Sequence, residues 1–221
     1  MTVLYPGVPV PEMLPAPVLR DSEIVLLSVS RFDPRKNLPL AIDALRELRS
    51  RVPADLFSRV QLVLAGHHNL RLPEDVALVS ALRRQAADTG LSDHVQLVFS
   101  PSEEERRALV ARCRAVLYTP TAEHFGYVPV EAMAAGRPVV AVNNGGPTET
   151  VLHNMTGMLC APTPIAFGQA LATLVQQPDV ADSMGRAGYA HVKAHFSLEA
   201  FGDTLETLLS GLVQAHHRSR Q

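Results

Sequence analysis

Residues 115–142, AVLYTPTAEHFGYVPVEAMAAGRPVVAV, contain the pattern that decides the fold class. AVLYTP (115–120) is an apolar run typical of a buried strand, and PVVAV (138–142) is a second one. VPVEAMAAG (128–136) predicts a helix between them that ends at Gly136. A strand, a helix and a strand in this order join two parallel strands of one sheet.

The same alternation continues along the chain. Apolar runs predict further buried strands at residues 23–30, 60–66, 94–99 and near 157–160. Helical spacing predicts helices at residues 38–52, 73–90, 103–112 and, as three amphipathic segments, from about 164 onward. Helix-end signals are an N-cap at Asn37, a capping box between Ser102 and Glu105, and a terminating Gly90. The prediction is an α/β fold with a Rossmann-like, doubly wound parallel sheet covered on both faces.

Composition narrows the class of protein. With 221 residues and 47% hydrophobic residues, the chain has enough apolar material for a sizeable core. A formal net charge of -2 argues against a nucleic-acid partner bound through a broad basic face. Cys113 and Cys160 are too few for a disulfide framework or a four-ligand metal site, and the sequence contains no Asp-x-Asp pair. We therefore expect no bound metal.

Three regions are predicted along the chain. Residues 1–21 carry five prolines between residues 6 and 17, which keep the backbone extended and indicate an interdomain linker. Residues 22–205 form the Rossmann-like domain, and residues 206–221 the end of a helix with a polar tail. No apolar run reaches the length of about 18 residues that a membrane span needs, and the first residues lack a signal-peptide pattern. These features predict a soluble chain that faces the cytosol.

Two cations follow the first strand in SRFDPRKN (30–37). Arg31 and Lys36 are five residues apart across a turn, so they can converge on one phosphate, the arginine by its planar fork and the lysine as a point charge. The alternative is a solvated basic turn in which Arg31 pairs with Asp33. Position alone leaves both interpretations open.

Two carboxylates flank a tight turn after a later strand. Glu123 lies in the loop and Glu131 in the predicted first turn of the next helix, so both are expected at the ligand-binding edge of the sheet. Carboxylates accept hydrogen bonds from vicinal hydroxyls, which suits a ribose or a hexose. Phe125-Gly126 allows the backbone to approach a ligand closely. The alternatives are a helix-dipole role for Glu131 and simple exposure for Glu123.

A glycine pair in NNGGPTE (143–149) is the third candidate. Gly145 and Gly146 precede Pro147, which fits the first position of a helix, and their amides would form an anion site with the helix N-terminus. The alternative is a plain Gly-Pro turn. Combined with the cations and carboxylates, the segment favours a nucleotide diphosphate as ligand.

These three motifs together resemble the retaining family 4 glycosyltransferases. EHFGYVPVE (123–131) resembles their Glu-x7-Glu signature, SRFDPRKN (30–37) their Arg-x4-Lys phosphate clamp, and NNGGPTETV (143–151) their Gly-Gly-Pro segment. The resemblance covers residues 22–205 and implies the nucleotide-sugar-binding, C-terminal half of a GT-B fold. It implies no metal and no cofactor.

The resemblance also implies roles for the matched residues. Arg31 and Lys36 would hold the donor diphosphate and stabilise it as it leaves. Glu123 would contact the transferred sugar, and Glu131 the ribose of the nucleotide. The backbone of His124, Phe125 and Gly126 would pack on the sugar and phosphates.

Within the family, LYTPTAEHFGYVPVEAM and AVNNGGPTETV most resemble the α-1,3/1,6-mannosyltransferases of dolichol-linked oligosaccharide assembly. This implies GDP-mannose as donor and a dolichyl-diphosphate-linked oligosaccharide as acceptor. It also implies a location at the cytoplasmic face of the endoplasmic reticulum, where peripheral contact with the membrane is possible. An N-terminal Rossmann domain would be missing, so the chain alone is expected to bind donor and transfer little. The alternatives are a family 4 transferase with another donor, such as a UDP-sugar, and a non-catalytic nucleotide-sugar-binding fragment.

Overall fold

The computed structural model describes residues 3–16 and 23–218, with side chains up to residue 213. The described chain alternates strands and helices, with short 3-10 turns at Pro34–Lys36 and Ser92–His94. The strands are β1 (Ile24–Val29), β2 (Val60–Gly66), β3 (Val95–Phe99), β4 (Cys113–Tyr118), β5 (Val139–Val142) and β6 (Gly157–Cys160). The helices are α1 (Pro39–Arg49), α2 (Ala54–Phe57), α3 (Pro73–Asp88), α4 (Glu103–Arg112), α5 (Tyr127–Ala134), α6 (Pro147–Thr150), α7 (Pro164–Gln176), α8 (Pro178–His195) and α9 (Leu198–Arg218).

All six strands form one parallel sheet in the order β3-β2-β1-β4-β5-β6. This order confirms the predicted Rossmann-like sheet. The chain starts at β1, builds outward to β3, and then returns to the other side of β1 with β4. Ligands in such sheets bind beyond the carboxyl ends of the strands, at the point where the order reverses. Here that point lies between β1 and β4.

The sheet separates two hydrophobic cores. Successive strand side chains point to opposite faces, and Leu26 and Leu27 of β1 accordingly belong to different clusters, although both are fully buried. The first core contains residues of α1, α3 and α7, and the second contains residues of α4, α5 and the end of α8. A sheet buried on both faces explains why its strands appear in the sequence as continuous apolar runs.

The described part of the proline-rich segment, residues 3–16, packs along the domain. The backbone N–H of Val8 donates to the carbonyl of Phe196 at 2.8 Å. The hydroxyl of Tyr189 donates to the carbonyl of Pro11 at 2.7 Å, and Arg137 Nη2 donates to that of Ala16 at 2.9 Å. The rest of the predicted linker, the end of the polar tail and the side chains of residues 214–218 lie outside the described residues.

Most of the predicted helix-end signals are confirmed, among them Gly136, which follows α5 with φ +69°. The capping box between Ser102 and Glu105 is present, and Gly90 ends α3 with φ +64°. The N-cap prediction for Asn37 is wrong: this residue has φ 50° and ψ 42° and terminates the 3-10 turn before it. An N-cap residue needs an extended backbone, so α1 begins after Leu38 without a side-chain cap. No helix among the described residues is both long and apolar enough to cross a membrane.

Candidate functional site

The loops after β1 and β4 meet at the carboxyl edge of the sheet. Lys36 Nζ donates a hydrogen bond to Glu123 Oε1, and Thr119 Oγ1 donates to the backbone carbonyl of Lys36 at 2.6 Å. The two charged side chains are only 19% and 24% exposed. The structure therefore brings together two of the predicted site residues, 87 positions apart in the chain, at the point where the strand order reverses.

Arg31 follows the same strand, β1, but is paired differently. Its Nη2 is 3.3 Å from Asp33 Oδ2, as the alternative interpretation of the sequence proposed, while 58% of its side chain stays exposed. Asp33 also accepts from the backbone N–H of Arg35 at 2.9 Å and from its Nη2 at 2.6 Å. The Arg35 guanidinium lowers the pKa of Asp33 to about 2, so the carboxylate is ionised at neutral pH. Arg31 is thus oriented by Asp33 and still open to a ligand.

A cavity of about 390 Å³ opens between the loops after β1 and β2. Cationic and anionic side chains line it together with a few apolar ones: Arg31, Asp33, Pro34, Arg35, His67, Asn69, Leu72, Glu74 and Asp75. Its volume falls in the range of ligand-binding clefts. Asp75, buried in the first turn of α3, accepts from the backbone N–H of Asn69 at 3.3 Å and so anchors one wall.

Tyr118 is a site residue that the sequence analysis did not identify. It is buried at the end of β4, and burial, followed by the charge and hydrogen bond of Glu123, raises the pKa of its hydroxyl. Gly126, with φ +80°, places its backbone beside this ring, since a Cβ there would lie 3.4 Å from Tyr118 Cε1. Its position as the last residue of a strand at the reversal point was the available signal.

The turn between the two glutamates is only partly directed at the site. The ring of Phe125 packs on Tyr5 and Phe196, with centroids 6.1 and 6.0 Å away, and therefore belongs to the second core. His124 is exposed. Of the three residues predicted to pack on the sugar and phosphates, Phe125 therefore has its ring engaged within the protein.

Glu131 has a different partner from Glu123. It lies in the second turn of α5 and not in the first, because the helix begins one residue earlier than predicted, directly after Gly126. Arg106 Nη1 of α4 donates to Glu131 Oε2 at 2.7 Å. Arg106 was not predicted as a site residue, because its contact depends on how two helices pack.

The amides of Gly145 and Gly146 are already engaged within the protein. The N–H of Gly146 donates to the carbonyl of Glu123 at 2.9 Å, and that of Gly145 to Asn144 Oδ1 at 3.0 Å. The predicted anion seat is therefore not formed by these two amides in this conformation. The glycines serve close packing: a Cβ on Gly146 would lie 2.2 Å from the carbonyl oxygen of Phe125. Pro147 occupies the first position of α6, as predicted.

Metal-ligating groups do not cluster in the part of the chain whose side chains the structure describes. There, no three His, Cys, Asp or Glu side chains are grouped so that they could hold a metal ion. Cys113 and Cys160 are buried and unpaired, and burial raises the pKa of both thiols, to about 12 and about 11. Both behave as small apolar residues.

Known proteins resemble this chain in both sequence and fold. The family described as "Glycosyl transferases group 1" matches residues 11–191. Alpha-1,3/1,6-mannosyltransferase ALG2 of Mus musculus is 39% identical over 218 residues, which cover 96% of this chain and 52% of that protein. The Saccharomyces cerevisiae ALG2 is 31% identical over 222 residues, covering 86% of this chain and 43% of that protein. The chain thus spans about half the length of the curated relatives it matches.

Solved structures of glycosyltransferases resemble the fold. Sucrose-phosphate synthase from Thermosynechococcus elongatus superposes with a TM-score of 0.81 at 25% identity, covering 96% of this chain and 52% of that one. Anabaena HepE in complex with UDP and glucose gives 0.74 at 27% identity, with 87% and 49% coverage. The C-terminal domain of LpcC from Francisella tularensis gives 0.71 at 18% identity, covering 89% of this chain and 97% of that domain. These neighbours have the GT-B fold, and this chain corresponds to one half of it. The chain belongs to the glycosyl transferases group 1 family.

Proposed function

We propose that this chain is the donor-binding half of an α-1,3/1,6-mannosyltransferase. The complete enzyme would transfer mannose from GDP-mannose to a dolichyl-diphosphate-linked oligosaccharide at the cytoplasmic face of the endoplasmic reticulum, in peripheral contact with the membrane. Similarity to the ALG2 relatives along nearly the whole chain supports the sugar and the acceptor. The observation that carries the proposal is the Lys36–Glu123 contact at the reversal point of the sheet.

In the proposed complex, the charged side chains at this edge of the sheet contact a nucleotide diphosphate. Lys36 and Arg31 supply two cations for the phosphates, and Glu123 beside Lys36 supplies an acceptor for hydroxyls of the sugar. In transfer, negative charge develops on the leaving diphosphate, and fixed cations in a partly desolvated site stabilise it. We propose retention of the anomeric configuration, by attack on the face from which the diphosphate leaves.

The acceptor belongs to a second half. Transfer needs both reactants in one geometry, and aligned reactants account for a large part of a typical rate enhancement. We therefore propose that an N-terminal Rossmann domain binds the acceptor and completes the site. The isolated chain then binds nucleotide and transfers little mannose.

Substitution of the two cations tests the donor site. We expect Lys36→Ala and Arg31→Ala each to weaken GDP binding by about ten- to a hundredfold, the range for a hydrogen bond to a charged group. Titration calorimetry of the purified chain with GDP, UDP and ADP measures this. Lys193→Ala is a matched control, because Lys193 is the only other lysine and is exposed on α8. Its affinity for GDP should equal that of the unchanged chain.

Each outcome of these titrations decides one part of the proposal. Undiminished GDP affinity in both cation variants would show that the phosphate assignment is wrong. Tighter binding of UDP than of GDP would favour the second candidate, a transferase with a UDP-sugar donor, which the UDP complex of HepE supports. Rapid transfer of mannose to a lipid-linked acceptor by the 221-residue chain would contradict the need for a second half.

A further inference from the structure

One guanidinium joins α4 to α5 by contacting two carboxylates. Arg106 Nε and Nη2 donate to the two oxygens of Glu103 at 3.0 and 2.9 Å, and Nη1 donates to Glu131 Oε2 at 2.7 Å. The Glu103 contact is bidentate, which fixes the plane of the guanidinium. Glu103 is itself the first residue of α4, whose start the Ser102 capping box defines. Arg106 therefore presents Nη1 to Glu131 in a fixed direction.

This bridge lies near the ligand-binding edge. Helix α4 begins shortly after the carboxyl end of β3, and α5 follows the loop after β4, so the first turns of both helices lie at that edge. Arg106 and Glu131 line one cavity of about 340 Å³ together with Val110 and Ala134, which lie a turn further along their helices. The polar end of the cavity is consequently the end nearer to the ligand.

The carboxylate of Glu131 keeps capacity for a ligand. A carboxylate has about four acceptor positions, and the bond from Arg106 occupies one of them, on Oε2. With Oε2 held, Oε1 has a defined orientation and can accept from a hydroxyl. Without the guanidinium, the carboxylate would rotate among several orientations and lose entropy on binding.

We infer that Arg106 is a positioning residue: it holds Glu131 in the orientation that accepts hydrogen bonds from the vicinal hydroxyls of the donor ribose. The inference rests on the proposed function, because the ribose is that of a nucleoside diphosphate bound at this edge. It assigns to Arg106 a share of ribose recognition, and predicts no effect of Arg106 on the phosphates.

The test compares two nucleotides on the same variant. The purified chain is titrated with GDP and with 2′,3′-dideoxy-GDP, and the ratio of the two Kd values reports ribose recognition. We expect a ratio of about ten in the unchanged chain, the value of one hydrogen bond to a charged group. In Arg106→Gln the ratio should fall to about two or less, because GDP binds more weakly while the dideoxy nucleotide binds as before.

Two further variants make the result specific. Arg107→Gln is the control: Arg107 neighbours Arg106 and pairs with the same Glu103 at 3.2 Å, but its side chain is 77% exposed. It should keep the full ratio. Arg106→Lys retains a cation that reaches one carboxylate but not both, so its ratio should lie between those of the unchanged chain and Arg106→Gln. Partial loss of folded protein would lower the fitted number of binding sites in both titrations, while the two Kd values and their ratio would still report the folded chain alone.

An unchanged ratio in Arg106→Gln, or equal weakening of both nucleotides, would overturn the inference. If the unchanged chain binds GDP and the dideoxy form equally, Glu131 does not contact the ribose hydroxyls. That result would also overturn the inference, while leaving the phosphate site intact. Failure of the unchanged chain to bind GDP at all would instead refute the proposed function.

Discussion

At the scale of single residues, the carboxylate of Asp33 organises the loop after β1. It accepts from the backbone and the side chain of Arg35 and contacts Arg31, one of the two cations that we propose for the donor phosphates. The pKa of Asp33 is about 2 in the folded chain, below its ordinary value of 3.8. A carboxyl with a lowered pKa stabilises the fold above its unfolded pKa, and that stabilisation is lost as the pH falls toward the folded pKa.

We expect Asp33→Asn to lower the free energy of unfolding by about 1 kcal/mol at pH 7. This is less than the shift in the Asp33 pKa alone would give, because solvent screens the exposed partners Arg31 and Arg35. The difference between variant and unchanged chain should shrink as the pH falls from about 4 to about 2. Urea unfolding at pH 7 and pH 3 measures it. Asp88→Asn, exposed at the end of α3, is the control and should show no such pH-dependent difference. A difference that grows in acid would contradict the assignment.

The residues of the site could be predicted to different degrees. Lys36 and Glu123 were predictable because the strand order alone brings the loops after β1 and β4 to one place. Tyr118 and Arg106 were missed because their contacts depend on side-chain direction and helix packing, which apolar spacing does not define. The acceptor of the Gly146 amide was not foreseen for a similar reason, since it is a carbonyl in another loop.

At the scale of elements, the two loops around residues 123–126 and 145–147 are packed backbone against backbone. Gly146 has an ordinary helical φ of -50°, so contact and not strain demands glycine there. A Cβ at Gly146 would lie 2.2 Å from the oxygen and 2.5 Å from the Cα of Phe125. Neither atom can move unless the loop that carries Glu123 moves too.

We expect Gly146→Ala to destabilise the chain by about 2 to 3 kcal/mol, as overpacking does in a close-packed interior. Gly202→Ala is the matched control, because nothing lies within 4 Å of a Cβ at this exposed position in α9. It should stabilise the chain by about 0.5 to 1 kcal/mol, the usual gain from replacing glycine inside a helix. Thermal unfolding of both variants checks the opposite signs; equal effects would show that the loops separate easily.

The elements themselves were largely predictable. Strands buried on both faces leave continuous apolar runs, and all six predicted strands are present. Helix α2 was missed, since its four residues are too few to show a helical period. The N-cap at Asn37 failed because the chain inserts a 3-10 turn that a local capping rule does not foresee.

At the scale of the whole molecule, the segment of residues 3–16 is part of the folded unit that the structure describes. Val8 is 2% exposed and forms a parallel bridge with Ser197. Tyr5 packs on Phe196 and donates to Glu149 Oε2 at 2.7 Å, so the segment also reaches the helix that begins at Pro147. The proline-rich segment therefore packs on the end of α8 and also reaches the edge of the sheet that carries the candidate site.

We expect Val8→Asp to destabilise the chain by about 3 kcal/mol or more, since it buries a charge without a partner. Val3→Asp is the control, because Val3 belongs to the same segment and is 51% exposed. Its free energy of unfolding should change by less than about 0.5 kcal/mol. Urea unfolding distinguishes the two, and equal tolerance of both changes would show that the segment is not docked in solution.

The central position of β1 also sets the order of events during synthesis. Its two neighbours are β2, which follows it closely, and β4, which ends at Tyr118, far along the chain. At a ribosomal rate of about 5 to 20 residues per second, one edge of β1 waits roughly 5 to 20 s for its partner. During that time, an apolar strand with an unpaired edge is open to pairing with other chains. The nascent protein is therefore most in need of a chaperone before residue 118 has left the ribosome.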